Sequence, residues 1–288
     1  LYPNRNVVIR NNVLEDIGGS GIVPIACEGA IVEHNILRGG RRRCDDYAAG
    51  IWPWGCDNTV IQFNEVSGMK GTKDGEGFDS DFNCRNTLIQ YNYSHDNEGG
   101  FLIVVNKGDD QQSGNDGTIV RYNLSVNDGA LGGRTFGLSG PITNTLIHNN
   151  VIVLGQGQKQ PLVFAWNWAG SPDGVRFSNN IFYVLGQGRF EFISYAKTTG
   201  LVFDHNVVYT KGSGSVTYDV VPAGEGNLTK DPMFINPTGG RNGFRLQPGS
   251  PSLAAGTHEF LLRLTGRRNV YDNRYALWFN AMALVKQR

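Results

Sequence analysis

One short pattern recurs eight times along this chain: an apolar–x–apolar step, an asparagine shortly after it, then a second apolar step. It is plain in NTVIQFNEVSG, NTLIQYNYSHD and GTIVRYNLSVN. The aligned asparagines are Asn12, Asn35, Asn64, Asn92, Asn123, Asn150, Asn180 and Asn206, at intervals of 23, 29, 28, 31, 27, 30 and 26 residues. Alternation with a period of two predicts strands rather than helices. A unit this short cannot bury an apolar face alone, so successive copies must stack. The expected product is an all-β solenoid of about eight or more coils, each rising about 4.8 Å over the last. Asparagines at equivalent bends can then bond amide to amide in a ladder along the axis. Glycine supplies the corners. That accounts for 39 Gly and 28 Asn among 288 residues.

Charge narrows the partners. Lys+Arg and Asp+Glu are 26 each, the longest basic run is Arg41-Arg42-Arg43, and the longest apolar stretch is about Phe101 to Val105. Neither a nucleic acid nor a membrane is an expected partner. A hydrophobic content of 40 % argues against disorder. Leu1 opens directly into patterned sequence with no leader-like stretch, as in a mature or trimmed form. Four cysteines form no CxxC pair. Cys27, Cys56 and Cys84 fall near the end of a second strand in three successive coils, as a column of buried free thiols would. No metal site is expected there.

That second strand aligns on glycine as Gly21-Ile22, Gly50-Ile51, Gly77-Phe78 and Gly100-Phe101, which predicts an inward stack of Ile22, Ile51, Phe78 and Phe101. With these repeats in view, the chain resembles the right-handed parallel β-helix proteins of the pectate-lyase-like superfamily over roughly residues 4–257. DPMFINPTGG and FRLQPGSPSLAAGT are similar to the closing coil of secreted, bacterial polysaccharide-acting members. The resemblance implies a β-helix domain over 1–257, a secreted or periplasmic location and a poly- or oligosaccharide partner. Residues 258–288 depart from the pattern and are expected to form a helical cap.

One coil breaks the rule that the second strand is apolar: Lys73-Asp74-Gly75-Glu76-Gly77-Phe78-Asp79-Ser80-Asp81. Aspartate is disfavoured inside strands. With Phe78 inward, alternation places Asp79 and Asp81 together on the outer face, between Trp52 and Trp54 of the preceding coil and Leu102 and Val104 of the next. Paired carboxylates beside tryptophans suit a sugar: the rings take its apolar face, the acids its chemistry. Asp79 and Asp81, with Glu98, are the candidate catalytic residues. Trp52, Trp54, Glu76, His95, Lys107, Arg134 and Trp166 are candidates for binding substrate. Asp45, Asp109 and Asp110 read as ordinary turn formers.

Three activities compete. The leading one is glycoside hydrolysis, in which one carboxyl stays protonated as acid and the other acts as nucleophile or base, without a cofactor. A polysaccharide lyase or uronate epimerase would need Ca²⁺, for which Asp74, Glu76, Asp79 and Asp81 offer oxygens, or Lys107 and Arg134. The run Glu76 to Asp81 is similar to the Tyr-Gly-Phe-Asp-Pro-His motif of alginate epimerases, but Glu76 and Asp81 replace its Tyr and His. The third is a non-catalytic sugar-binding solenoid.

Overall fold

A computed structural model describes residues 2–107 and 114–254. The chain winds as an all-β solenoid whose coils contribute one strand to each of three parallel sheets. The first sheet stacks eight three-residue strands, from Val8–Arg10 to Val202–Asp204. The second stacks eight more, from Val13–Glu15 to Val207–Thr210. The third holds six: Glu76–Ser80, Gly100–Val105, Arg134–Ser139, Lys159–Trp166, Gln187–Tyr195 and Ser215–Tyr218. In the first two coils this face is reduced to single bridges, Ile22 to Ile51 and Ile51 to Phe78. The repeat is therefore complete on two faces and shorter on the third. The segments 258–288 and Asp109–Asp110, with the cap expected of the former, lie outside the described residues.

The asparagine ladder forms as expected. Each rung donates from its backbone N–H and its Nδ2 to the Oδ1 of the next, as in Asn64 to Asn92 at 2.9 and 3.0 Å. It runs from Asn12 through Asn206 and gains a further rung at Asn227, which the aligned pattern does not reach. The residue before each asparagine takes a positive φ, and few of these are glycine: His34, Phe63, Tyr91 and Tyr122 lie between 55° and 57°. Their rings stack in series at 5.0 to 5.2 Å, which repays part of the backbone cost. The expected column of thiols is also present. Cys27, Cys56 and Cys84 are free and buried, and the Cys27 N–H donates to Cys56 Sγ.

The core runs the length of the axis and is filled by Ile51, Phe78, Phe101, Phe136, Phe177 and Phe182 among others. After the last full coil, the chain folds back as an antiparallel pair bridged between Phe234 and Leu246. Phe234, Phe244 and Leu246 cover the outward residues Val151, Val153, Ile181, Tyr183 and Val207 of the second sheet. This is the closing segment that the sequence signalled with DPMFINPTGG.

Candidate functional site

The site lies on the outer face of the third sheet, where its first strand, Glu76–Ser80, carries the acids. Asp79 stands beside Ile103 of the next coil and its N–H donates to Ile51, which sets Trp52 next to it in the coil before. The Asp81 N–H likewise donates to Pro53, which sets Trp54 beside Asp81. The outer column beyond Asp79 continues through Ile103, Gly137 and Phe164. One level over, Val105, Ser139 and Trp166 follow one another.

One expectation about this face is corrected. Leu102 and Val104 belong to the core, and Ile103 and Val105 take the outward places. The cause is the register: Phe78 pairs with Leu102 rather than Phe101 and Glu76 with Gly100, a constant offset one residue longer than the glycine alignment, and Phe101 and Leu102 both turn inward. Glycine alignment by sequence is off by one residue from that point.

The acids are far more enclosed than a solvent-facing strand would leave them. Asp79 is 3 % exposed and Glu76 is fully buried. Asp74 and Asp81, at the two ends of the acidic segment, are half-buried and open to solvent. Burial pushes all four carboxyls up. Glu76 and Asp81 rise to about 7, and Asp79 goes well above the ordinary range, raised further by the charges of Asp81, Asp74 and Glu76. Asp74 is raised less, because Arg134 and Arg41 oppose its desolvation. Several polar atoms here have no hydrogen-bond partner: both oxygens of Glu76, Asp79 Oδ1 and Arg134 Nε. Buried polar groups are ordinarily satisfied, and this gathering of orphans among carboxyls of raised proton affinity makes the cluster the candidate site.

Arg134 is the cation of the cluster. Its Nη2 stands 2.9 Å from Glu76 Oε1, a charge contact whose alignment falls short of a hydrogen bond. Its guanidinium lies 4.6 Å from the ring centre of Trp166. Trp166 in turn leans on Phe164, and Phe164 on Tyr195. A second aromatic series runs along the other edge. Trp52 meets Trp54 at 6.0 Å, Trp54 meets Phe82 at 5.9 Å, and Phe82 meets Trp168 at 5.4 Å. Trp54 is 44 % and Trp168 39 % exposed, so this wall presents ring faces to solvent beside Asp81.

Not every candidate gathers here. Glu98 is engaged by Lys70 Nζ at 2.7 Å and by the Gly71 N–H at 2.6 Å. Those contacts, with the charge of Arg42, outweigh its burial and hold its carboxyl below the usual range. It braces the loop that leads to Asp74. His95 lies on a strand of the second sheet, stacked on Tyr93 and bonded to Asp96 at 2.7 Å, on a different face from the acids. Lys107 follows the strand Gly100–Val105 and is half-buried. Trp52 is half-buried, with its Nε1 donating to Ser20. It nonetheless shares the face with Trp54, Glu76, Asp79, Asp81, Arg134 and Trp166.

Sequence reasoning missed the weight of Asp74, Phe82 and Trp168. Asp74 sits at φ 61° directly before Gly75 at φ 77°, so in the sequence it is indistinguishable from any Asp-Gly turn. Among the described residues, no group of three or more carboxylate, histidine or cysteine side chains is arranged to hold a metal ion.

No protein-family model matches the chain. It is 35 % identical over 143 residues to a lacto-N-biosidase of Bifidobacterium longum subsp. longum, a match spanning 44 % of this chain and 8 % of that protein. Crystal structures of a GH136 lacto-N-biosidase from Eubacterium ramulus, native and selenomethionine forms, align over 80 % of this chain and 29 % of theirs. Identity there is 26 % and the TM-score 0.42. The chain thus spans a minor part of each relative's length.

Proposed function

We propose that this chain carries the catalytic face of a glycoside hydrolase that cleaves neutral oligosaccharides, with lacto-N-biose-terminated glycans as the first substrates to test. One observation carries the reading. Asp74 and Asp81 are two solvent-reachable carboxyls with raised proton affinity, at the mouth of a buried acid cluster and beside an exposed aromatic wall. Glycoside hydrolysis needs one protonated and one ionised carboxyl flanking the bond. Asp81, raised to about 7, can keep a proton near neutrality, while Asp74, raised less, gives up its own first and its charge helps hold the proton on Asp81. Trp54 and Phe82 are placed to stack against a sugar ring. Asp79, closed behind the pair, is pushed well up by burial and by their charges, so its proton is held most firmly. The relative's name, lacto-N-biosidase, supports the same reaction class and suggests the sugar. The acid face suits a neutral glycan better than a polyuronate, because Arg134 already answers Glu76.

The test is a panel of p-nitrophenyl glycosides, including the lacto-N-bioside, assayed on wild type and on Asp74→Asn and Asp81→Asn. Losing a positioned acid or base lowers kcat by about 10²–10⁴-fold, and both variants are expected to show this while binding of the free disaccharide persists. Asp79→Asn is expected to lose less and to shift the pH optimum. Azide restoring one of the two variants would distinguish the ionised carboxyl from the acid. Full activity in both Asp74→Asn and Asp81→Asn would sink the proposal.

A further inference from the structure

Arg134 reaches its partner by a route that depends on two missing side chains. In the third sheet Glu76, Gly100 and Arg134 stand in register on three successive coils. The ion pair therefore spans the intervening coil, and a methyl group on Gly100 would lie 3.3 Å from Glu76 Cγ. On the Arg134 side the arginine stem and Nε pass over Gly137, where a methyl group would stand 2.6 Å from Nε and 3.1 Å from Ile103 Cγ1. Trp166 closes the slot from the next coil. Glu76 is wholly buried and Arg134 mostly so, with side-chain exposures of 0 % and 18 %. A pair so enclosed is costly to build for stability alone, and Arg134 Nε and both Glu76 oxygens remain without hydrogen bonds.

We propose that Arg134, held against Glu76 across Gly100 and seated on Trp166, is a positioning residue that fixes the charge balance of the acid cluster, so that one of Asp74 and Asp81 can be ionised beside a protonated partner. The inference rests on the glycosidase reading above and adds to it the group that governs its acids. Four carboxyls in one enclosed site repel one another's charges. Arg134 acts on Asp74, Glu76 and Asp79, while Arg41 and Asp46 act on Asp74 from the preceding loop. At the far end of the strand, the Cys84 thiol is pushed up chiefly by burial and stays neutral. Glu98 is committed to Lys70, and in the outer column Glu191 to Arg189 at 2.9 Å. Among these groups, Arg134 is the cation that reaches the interior of the cluster. Its planar guanidinium can meet Glu76 and Trp166 at once, as an ammonium could not.

The experiment is the pH dependence of kcat and KM for wild type, Arg134→Gln, Arg134→Lys and Glu76→Gln, paired with ¹³C-carboxyl NMR titration of the same proteins. Removing a cation within a few ångströms raises carboxylate pKa values by about 1–3 units. Arg134→Gln should therefore move the whole pH profile to the alkaline side, with kcat recovering there and KM little changed. Glu76→Gln should move it the opposite way, and Arg134→Lys should lie between Arg134→Gln and wild type. Gly137→Ala, which displaces the guanidinium without deleting its charge, should resemble Arg134→Gln in direction. It also serves if Arg134→Gln does not fold. A profile lowered by one factor at every pH would mean a merely structural role and would overturn the proposal. The NMR arm separates the two readings: carboxyl titrations unmoved by Arg134→Gln refute the charge role, whereas shifted titrations in a protein that hydrolyses nothing on the panel refute only the glycosidase reading.

Discussion

Asn92 uses every hydrogen-bonding valence of its side chain. Its Oδ1 accepts from the N–H and Nδ2 of Asn64, and its Nδ2 donates to the Ile61 carbonyl and to Asn123 Oδ1. Burial is nearly complete at 2 % exposure, so water cannot replace these bonds. Asn92→Ala would orphan two donors of Asn64, and each buried orphan costs about 1–3 kcal/mol. The variant is expected to lose about 3 kcal/mol in urea unfolding. An Asn86→Ala control removes an exposed amide bonded to Asn58 and should lose much less. The ladder is legible in the sequence because no other side chain offers an amide's donor and acceptor in the same short reach. The acid cluster is less legible. Asp79 and Asp81 announce themselves as aspartates in a strand, whereas Asp74 looks like the start of a turn. Its importance comes from where the coil carries it.

At the scale of elements, the third sheet shows where pattern reading stops. Period-two alternation and the aligned asparagine locate all eight strands in each of the first two sheets. The glycine alignment of the third holds through Gly77 and slips at Gly100, because the coil between them is one residue longer than the glycine spacing and the pairing follows the coil. In one dimension Gly100-Phe101 looks like Gly77-Phe78. In the structure Gly100 instead opposes Glu76, and the outward places pass to Ile103 and Val105. The role of Gly100 is spatial. A methyl group there would be driven into the Arg134 carbonyl oxygen and would crowd Glu76. Overpacking of this kind costs about 1–3 kcal/mol, so Gly100→Ala should lower the melting temperature and displace the Glu76–Arg134 pair. Gly18→Ala is the matched control, since its methyl group would meet only ordinary contacts at 3.7 and 3.8 Å to the Arg43 side chain. Equal losses from the two substitutions would show that the slot between Gly100 and Arg134 is not as close as described.

For the whole molecule, zero formal charge hides an uneven interior. Besides the acid cluster, Asp128 is buried at 2 % exposure in a second corner ladder, where Asn97 donates to its Oδ1 and Ser125 to its Oδ2. Desolvation pushes its pKa up to about 7 despite those bonds, as it does for Glu76 and Asp81. Such acids keep their protons in the folded chain and release them, once unfolded, near pH 4. Between about pH 4.5 and 7 the folded state thus binds more protons than the unfolded one, and stability falls as pH rises. Glu65, Glu98, Asp116 and Asp219 are held low and act in the opposite sense, but their contributions are lost only below about pH 4.5. The two shifted histidines, His34 lowered and His95 raised, oppose each other. The melting temperature should therefore be higher at pH 5 than at pH 8. Asp128→Asn should flatten that slope, because the amide retains an acceptor for Asn97 and carries no charge to desolvate. Its gain should appear at pH 8 and vanish at pH 5. A melting curve that climbs steadily from pH 5 to 8 in wild type would show that these acids ionise within the fold, and that the acid cluster is wetter than its burial implies.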